Sequence, residues 1–139
     1  MKVLLDTNVL SEVRRPAPEP KVLAWLDAID EDRAFISVAS IAELKRGISL
    51  MDAGRRREAL AAWLAEDLSA RFAGRILPID SGIAERWGDL MAQARQSGIA
   101  LSVMDGFFAA TALAHELVLV TRNTKDFAPL AVPLFNPWD

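Results

Sequence analysis

The stretch Lys2-Val3-Leu4-Leu5-Asp6-Thr7-Asn8 joins a short apolar run to an acid and two small polar residues. The run carries no alternating polar position, as a strand buried on both faces requires. Asp6 then ends that strand, and Thr7-Asn8 opens a helical stretch that stops before Pro16-Ala17-Pro18. The same grammar recurs outward from this point. Ala34-Phe35-Ile36-Ser37-Val38 reads as a second strand, Arg75-Ile76-Leu77-Pro78-Ile79 as a third, and Leu117-Val118-Leu119-Val120-Thr121 as the clearest of all. Val132-Pro133-Leu134-Phe135 fits a final edge strand, where a proline is tolerated.

Helical patterns fill the intervals. Val22, Leu23, Trp25, Leu26 and Ile29 recur at helical spacing. Ser40 reads as the start of a helix with the stripe Ile41, Leu44, Ile48 and Met51; Gly54 interrupts, and Leu60, Trp63, Leu64 and Leu68 mark a long helix beyond it. Asp80-Ser81 caps a helix carrying Ile83, Trp87, Leu90, Met91 and Ala94, which Gly98 ends. Ser102 starts another, with Phe108, Ala109 and Ala112 on one face. Strands separated by helices predict an α/β domain over residues 1–139, with a central, mostly parallel sheet flanked by helices.

Composition narrows the function. With 139 residues, 52% of them hydrophobic, the chain can bury a substantial core. No apolar run is long enough to span a bilayer, and the first few residues do not form a signal peptide, so no membrane association and a cytoplasmic location are expected. The absence of cysteine removes disulfides and thiolate metal sites. The net charge of −3 does not advertise a nucleic-acid binder. Residues 44–75, however, hold seven basic against four acidic side chains, with Arg55, Arg56 and Arg57 in a row. That segment reads either as a solvated helix face or as a rim that touches phosphates.

Three acids occupy equivalent places. Asp6 ends the first strand, Glu43 lies in the first turn of the helix after the second, and Asp105 lies in the first turn of the helix before Leu117. In open parallel sheets ligands gather at the carboxyl ends of strands, so acids distant in sequence converge there. Converging carboxylates repel one another unless a cation lies between them. Oxygen donors without thiolates suit Mg²⁺ or Mn²⁺, whose waters can be activated for attack on a phosphate. Each acid also has a purely structural reading. Ser40-Ile41-Ala42-Glu43 and Ser102-Val103-Met104-Asp105 both fit a capping box, and Asp6 fits an N-cap. Asp126 reads equally as a fourth ligand or as a turn residue; Thr121 and Asn123 are placed to bind a metal's waters, and Ser37 and Asn8 to orient its ligands. His115, the single histidine, sits at a helix end, which leaves no histidine-based triad. The four tryptophans fall mostly at helical apolar positions, which favours core packing over base stacking.

The order of these segments resembles the four motifs of PIN domains: Leu4-Leu5-Asp6-Thr7-Asn8-Val9-Leu10-Ser11, then Ser37-Val38-Ala39-Ser40-Ile41-Ala42-Glu43-Leu44, then Asp105 with Phe108-Ala109-Ala110-Thr111-Ala112, then Val120-Thr121-Arg122-Asn123-Thr124-Lys125-Asp126-Phe127. Within that family the chain looks most like the VapC-type toxins of type II toxin–antitoxin systems. Its closing Phe135-Asn136-Pro137-Trp138 resembles the FitB-like branch. The resemblance implies a Mg²⁺- or Mn²⁺-dependent endoribonuclease, usually a homodimer, that cleaves RNA and is held in check by a small cognate antitoxin. It places Asp6, Glu43 and Asp105 at the metal as the catalytic acids, with Asp126 as an additional carboxylate. Asn123 stands where many members carry an acid. A structure-specific DNA nuclease, or a non-catalytic module acting through a DNA-binding partner, are the competing expectations.

Overall fold

A computed structural model describes residues 1–139. Five strands, β1 (Val3–Leu5), β2 (Ala34–Ser37), β3 (Ile76–Leu77), β4 (Val118–Val120) and β5 (Leu134–Phe135), form one sheet in the order β3-β2-β1-β4-β5. Every pairing is parallel. Val3 stands beside Ala34 on one side and Val118 on the other, which makes β1 the central strand. The chain builds outward from β1 through β2 to β3, then returns to place β4 on the opposite flank of β1. The order therefore reverses between β1 and β4, and a crevice opens at their carboxyl ends.

The pleat sorts the strand residues into two cores. Val3, Leu5, Ala34, Ile36 and Val120 face one layer, where they pack with Val9, Leu10, Val22, Ile48, Trp63 and Leu64. Leu4 and Leu119 face the other, with Phe108, Ala109, Ala112 and Phe127. Burial on both faces explains why the strands carry unbroken apolar runs and why they are short: three residues of β1 suffice to fill both layers.

The first layer is built from α1 (Thr7–Glu12), α2 (Pro20–Ala28), α3 (Val38–Ser49) and α4 (Arg55–Ala62). The long helix expected beyond Gly54 is not uniform. It passes from α4 into a π-helical segment, Trp63–Leu68, and ends in the single turn α5 (Ser69–Arg71). The Ser69 hydroxyl donates to Leu64 O at 3.2 Å there. The wider turn brings Trp63, Leu64 and Leu68 all onto the buried face.

The second layer holds α6 (Ser81–Gln96) and α7 (Val103–Ala114), with the short α8 (Thr124–Phe127) after β4. Asp80 caps α6 through Ile83 N at 2.9 Å. Gly98, at φ 74°, closes it in the left-handed conformation that glycine adopts without strain. The two helices meet closely at Gly106: a Cβ there would stand 2.5 Å from Met91 Sδ and 2.8 Å from Trp87 Nε1. The Trp87 indole donates to Val103 O at 3.1 Å and its ring stacks on Phe107, so α6 fixes the first turn of α7.

One helix start differs from expectation. α3 begins at Val38, and its N-cap is Ser37, whose hydroxyl accepts from Ala39 N at 3.0 Å. Ser40 and Glu43 therefore lie inside the helix, and no capping box joins them. The strand β2 runs straight into the helix with no loop, so the cap falls on the last strand residue instead of three residues later. No helix is long and apolar enough to cross a membrane.

Candidate active site

Asp6 sits where β1 ends. Its N–H donates to Val120 O at 2.9 Å, which completes the β1–β4 ladder, and its extended backbone then turns into α1. The carboxylate is 5% exposed. Oδ1 accepts from Thr7 N at 2.6 Å; Oδ2 accepts from the Thr121 hydroxyl at 2.7 Å and from Asn8 Nδ2 at 3.4 Å. The expected N-cap role is thus real, and the side chain also bridges the two strands that flank the crevice. Burial pushes its pKa up from 3.8 to about 6. The hydrogen bonds from Thr121 and Thr7 oppose that rise, and the charges of Asp105 and Glu43 add to it.

Glu43 reaches the same place from the second turn of α3. Its Oε1 accepts from the Thr7 hydroxyl at 2.6 Å, and Thr7 Oγ1 lies 2.9 Å from Ser40 Oγ. With the Thr7 proton directed at Glu43, the Ser40 proton must point to Thr7. Ser40, fully buried, thereby passes its hydrogen bond through Thr7 to the carboxylate. Asp105 comes from the first turn of α7, whose N-cap Ser102 accepts from Asp105 N at 3.1 Å. Burial raises the Asp105 pKa; the Ser102 hydroxyl lowers it, and the charges of Asp126 and Glu43 raise it further.

Asp6, Glu43 and Asp105 line one cleft of about 420 Å³, together with Thr7, Asn8, Ser11, Glu12, Arg15, Arg122, Asn123 and Trp138. The structure thus brings the three sequence-predicted acids to one opening. Asn123 lines it too, and its N–H donates to Thr121 Oγ1 at 3.1 Å. Asp126 does not: it is exposed on α8 and reaches the cleft only through its charge on Asp105. Ser37 is absorbed by capping α3. Arg55 is exposed at the start of α4, and Arg56 lies in an adjoining groove with Arg14 and Arg15, where its guanidinium donates to Arg14 O at 2.8 Å. His115 is the exposed C-cap of α7, away from the cleft.

Glu12 and Arg15 escaped the sequence reading. Glu12 is 3% exposed; its Oε2 accepts from Glu19 N at 2.9 Å and Oε1 from Arg15 Nη1 at 3.1 Å. The Glu19 bond, joined by Arg15 and Arg122, holds its carboxyl below the usual range against the effect of burial. The chain around Pro16-Ala17-Pro18 is thereby folded back, and Arg15 is brought to the rim. The available signal was a polar stripe, Asn8, Ser11, Glu12 and Arg15, at helical spacing from the end of β1.

The three acids offer only oxygen ligands, and they destabilise one another's charge. The cations of the lining pair with other residues than the three acids, Arg15 with Glu12 and Arg122 with the Trp138 ring. Such a set fits a hard divalent cation. No three acidic or histidine side chains stand close enough to coordinate one ion together.

Comparison with known proteins gives the family. The PIN domain profile matches residues 3–132. VapC ribonuclease Y4jK of Sinorhizobium fredii is 39% identical over 137 residues, covering 99% of this chain and 98% of the relative. Toxin FitB of Neisseria gonorrhoeae is 39% identical over 136 residues, 98% of each chain. A crystal structure of FitAcB from that organism superposes with a TM-score of 0.92 over 98% of both chains. A toxin–antitoxin complex from Klebsiella pneumoniae matches at 27% identity and a TM-score of 0.67 over 99% of each chain. The chain belongs to the PIN-domain family, alongside the VapC ribonucleases and the toxin FitB.

Proposed function

We propose that the protein is a Mg²⁺- or Mn²⁺-dependent endoribonuclease of the cytoplasm, the toxin of a toxin–antitoxin pair. The observation that carries this reading is the meeting of Asp6, Glu43 and Asp105 at the β1–β4 switch point, where burial and mutual repulsion raise the pKa of Asp6 and Asp105. A divalent ion bound there supplies Lewis acidity toward a phosphate and lowers the pKa of water. Asp6, Glu43 and Asp105 would hold it, with Asn123 at the same opening. Mg²⁺ keeps several of its waters and takes one or two carboxylates directly, which suits acids not gathered into one tight shell.

The remaining residues set the geometry of hydrolysis. Thr121 and Thr7 N fix Asp6, and the Ser40–Thr7 relay fixes Glu43, so the carboxylates at the end of β1 and in α3 keep their orientation as charge develops. Water adds to phosphorus, one P–O ester bond breaks, and the leaving ribose oxygen takes a proton; no redox partner enters. Arg14, Arg15 and Arg56 in the adjoining groove give the flanking phosphates a cationic path. An antitoxin partner follows from kinship with FitB and with the Klebsiella complex. An arginine from that partner would pair with the carboxylates as a planar fork and block the cleft.

The test has two arms. Purified chain should cleave unstructured RNA with Mg²⁺ or Mn²⁺, stop with chelator, and leave DNA of the same sequence intact. Its expression should arrest growth, and co-expression of the neighbouring small reading frame should relieve the arrest. Metal-independent cleavage, or equal cleavage of DNA, would refute the reading.

A further inference from the structure

Trp138 is the one hydrophobic residue in the lining of the acid cleft. It lies outside any helix, unlike the other three tryptophans, and its placement is held by a small network. Asn136 Oδ1 accepts from Trp138 N at 2.9 Å, while Asn136 Nδ2 donates to Arg122 O at 3.4 Å. On its other side Arg122 N–H donates to Asn8 Oδ1 at 3.5 Å. The Arg122 guanidinium then rests over the Trp138 ring, 5.5 Å from its centre. Trp138 is partly buried against the core, and Arg122 beside it is exposed.

We infer that Arg122 and Trp138 form a stacking shelf that takes an unpaired nucleobase of the RNA next to the phosphate held at the acids. The inference rests on the ribonuclease reading above and assigns a substrate contact within it. Three features support it. A flat cation backed by an indole is a surface on which a base stacks, and single-stranded RNA is recognised by such planes. The shelf shares a wall with Asp6, Glu43 and Asp105, so a base resting on it belongs to a nucleotide adjoining the cleaved bond. Its backbone is tied to Asn8, itself bonded to Asp6, so shelf and acids keep a fixed spacing. A base in a duplex cannot reach the shelf without unstacking, which makes the site selective for unpaired RNA.

The experiment measures binding of a fluorescent six-nucleotide oligoadenylate, and of an abasic strand of equal length, to the Asp6→Asn protein, which retains bound RNA uncut. Trp138→Leu should weaken oligoadenylate binding by about fivefold to a hundredfold, as loss of one aromatic stacking platform does, and leave the abasic strand within twofold. Trp138→Phe should restore most of the difference. Arg122→Lys is the control that leaves the core untouched: it should lose base-dependent affinity while keeping the salt slope, because the charge remains. Equal losses on both strands, or oligoadenylate binding indifferent to Trp138 and Arg122, would overturn the shelf alone. Failure of the starting protein to bind or the unsubstituted protein to cleave any RNA would overturn the shelf together with the reading beneath it.

Discussion

Two segments carry the same pattern of a serine followed three residues later by an acid, Ser40-Ile41-Ala42-Glu43 in α3 and Ser102-Val103-Met104-Asp105 in α7, and the fold uses them differently. In α7 the serine is the N-cap and the acid stands in the first turn, its own N–H bonded to the cap. In α3 the cap has moved to Ser37, and both the serine and the acid lie inside the helix. Ser40 is spent on Thr7, and Thr7 on Glu43. A carboxylate at a helix start can be held by its own helix or by a neighbouring element, and only the second arrangement couples it to the strand that carries Asp6. The two acids reach one cleft from opposite layers with different means of support.

That difference can be broken residue by residue. The largest effect should come from the carboxylates, which the account treats as equal despite their settings. Glu43→Gln and Asp105→Asn should each lower RNA cleavage by about two orders of magnitude or more, the scale of several kcal/mol of lost charge stabilisation. Steady-state cleavage of a labelled RNA measures it; a tenfold gap between the variants would show that one acid is only structural.

Asp6 gives the next effect, on stability. Its folded pKa is about 6 against an ordinary 3.8, so between those values the folded protein binds more protons than the unfolded chain. Metal-free stability should therefore fall as pH rises from about 4 to 6, by about 3 kcal/mol in total, and level off above. Urea denaturation of Asp6→Asn should show that slope removed and a more stable metal-free fold at pH 7. The same titration predicts weaker cation binding below about pH 6, where Asp6 is protonated.

The relay offers a subtler break. Thr7→Val deletes the hydroxyl between Ser40 and Glu43 while keeping the shape of the side chain. Removing such an outer contact typically costs about tenfold to a hundredfold in activity or metal affinity. The corresponding change in α7, Ser102→Ala, should act on the helix itself, costing about 1 kcal/mol of stability in thermal unfolding. Activity loss from Ser102→Ala as large as that from Thr7→Val would erase the distinction. The smallest effect belongs to the rim: Arg56→Ala should lower the salt dependence of RNA binding by about one unit, and Arg55→Ala, exposed away from the groove, by none.

Much of this arrangement was readable before the fold. The strands announced themselves because burial on both faces leaves an unbroken apolar run, as in Leu4-Leu5 and Leu119-Val120. Asp6 was conspicuous because an acid ends such a run. What stayed hidden depends on contacts between distant residues. The cap of α3 was misplaced at Ser40, because Ser40-Ile41-Ala42-Glu43 matches a capping box while Ser37, three residues earlier, offers only a capping hydroxyl. The direct join of β2 to α3 decides between them. Asp126 and Asn123 share one short loop and turn, and only the fold shows that Asn123 faces the cleft. Trp138 does pack against the core, as its apolar character suggested, but only the fold shows that it also lines the acid cleft beside Arg122. The π segment after α4 has no local signature in Trp63–Leu68 beyond its crowded apolar positions.

A calorimetric titration with Mn²⁺ tests directly whether Asp6 at the end of β1, Glu43 of α3 and Asp105 of α7 serve one cation site. It compares the unsubstituted protein with Asp6→Asn, Glu43→Gln and Asp105→Asn at pH 7.5, each checked for an intact fold by circular dichroism. The unsubstituted protein should bind Mn²⁺ saturably, and every variant should lose at least about tenfold in affinity. Undiminished Mn²⁺ affinity in any one of the three folded variants would contradict a site shared by all three acids.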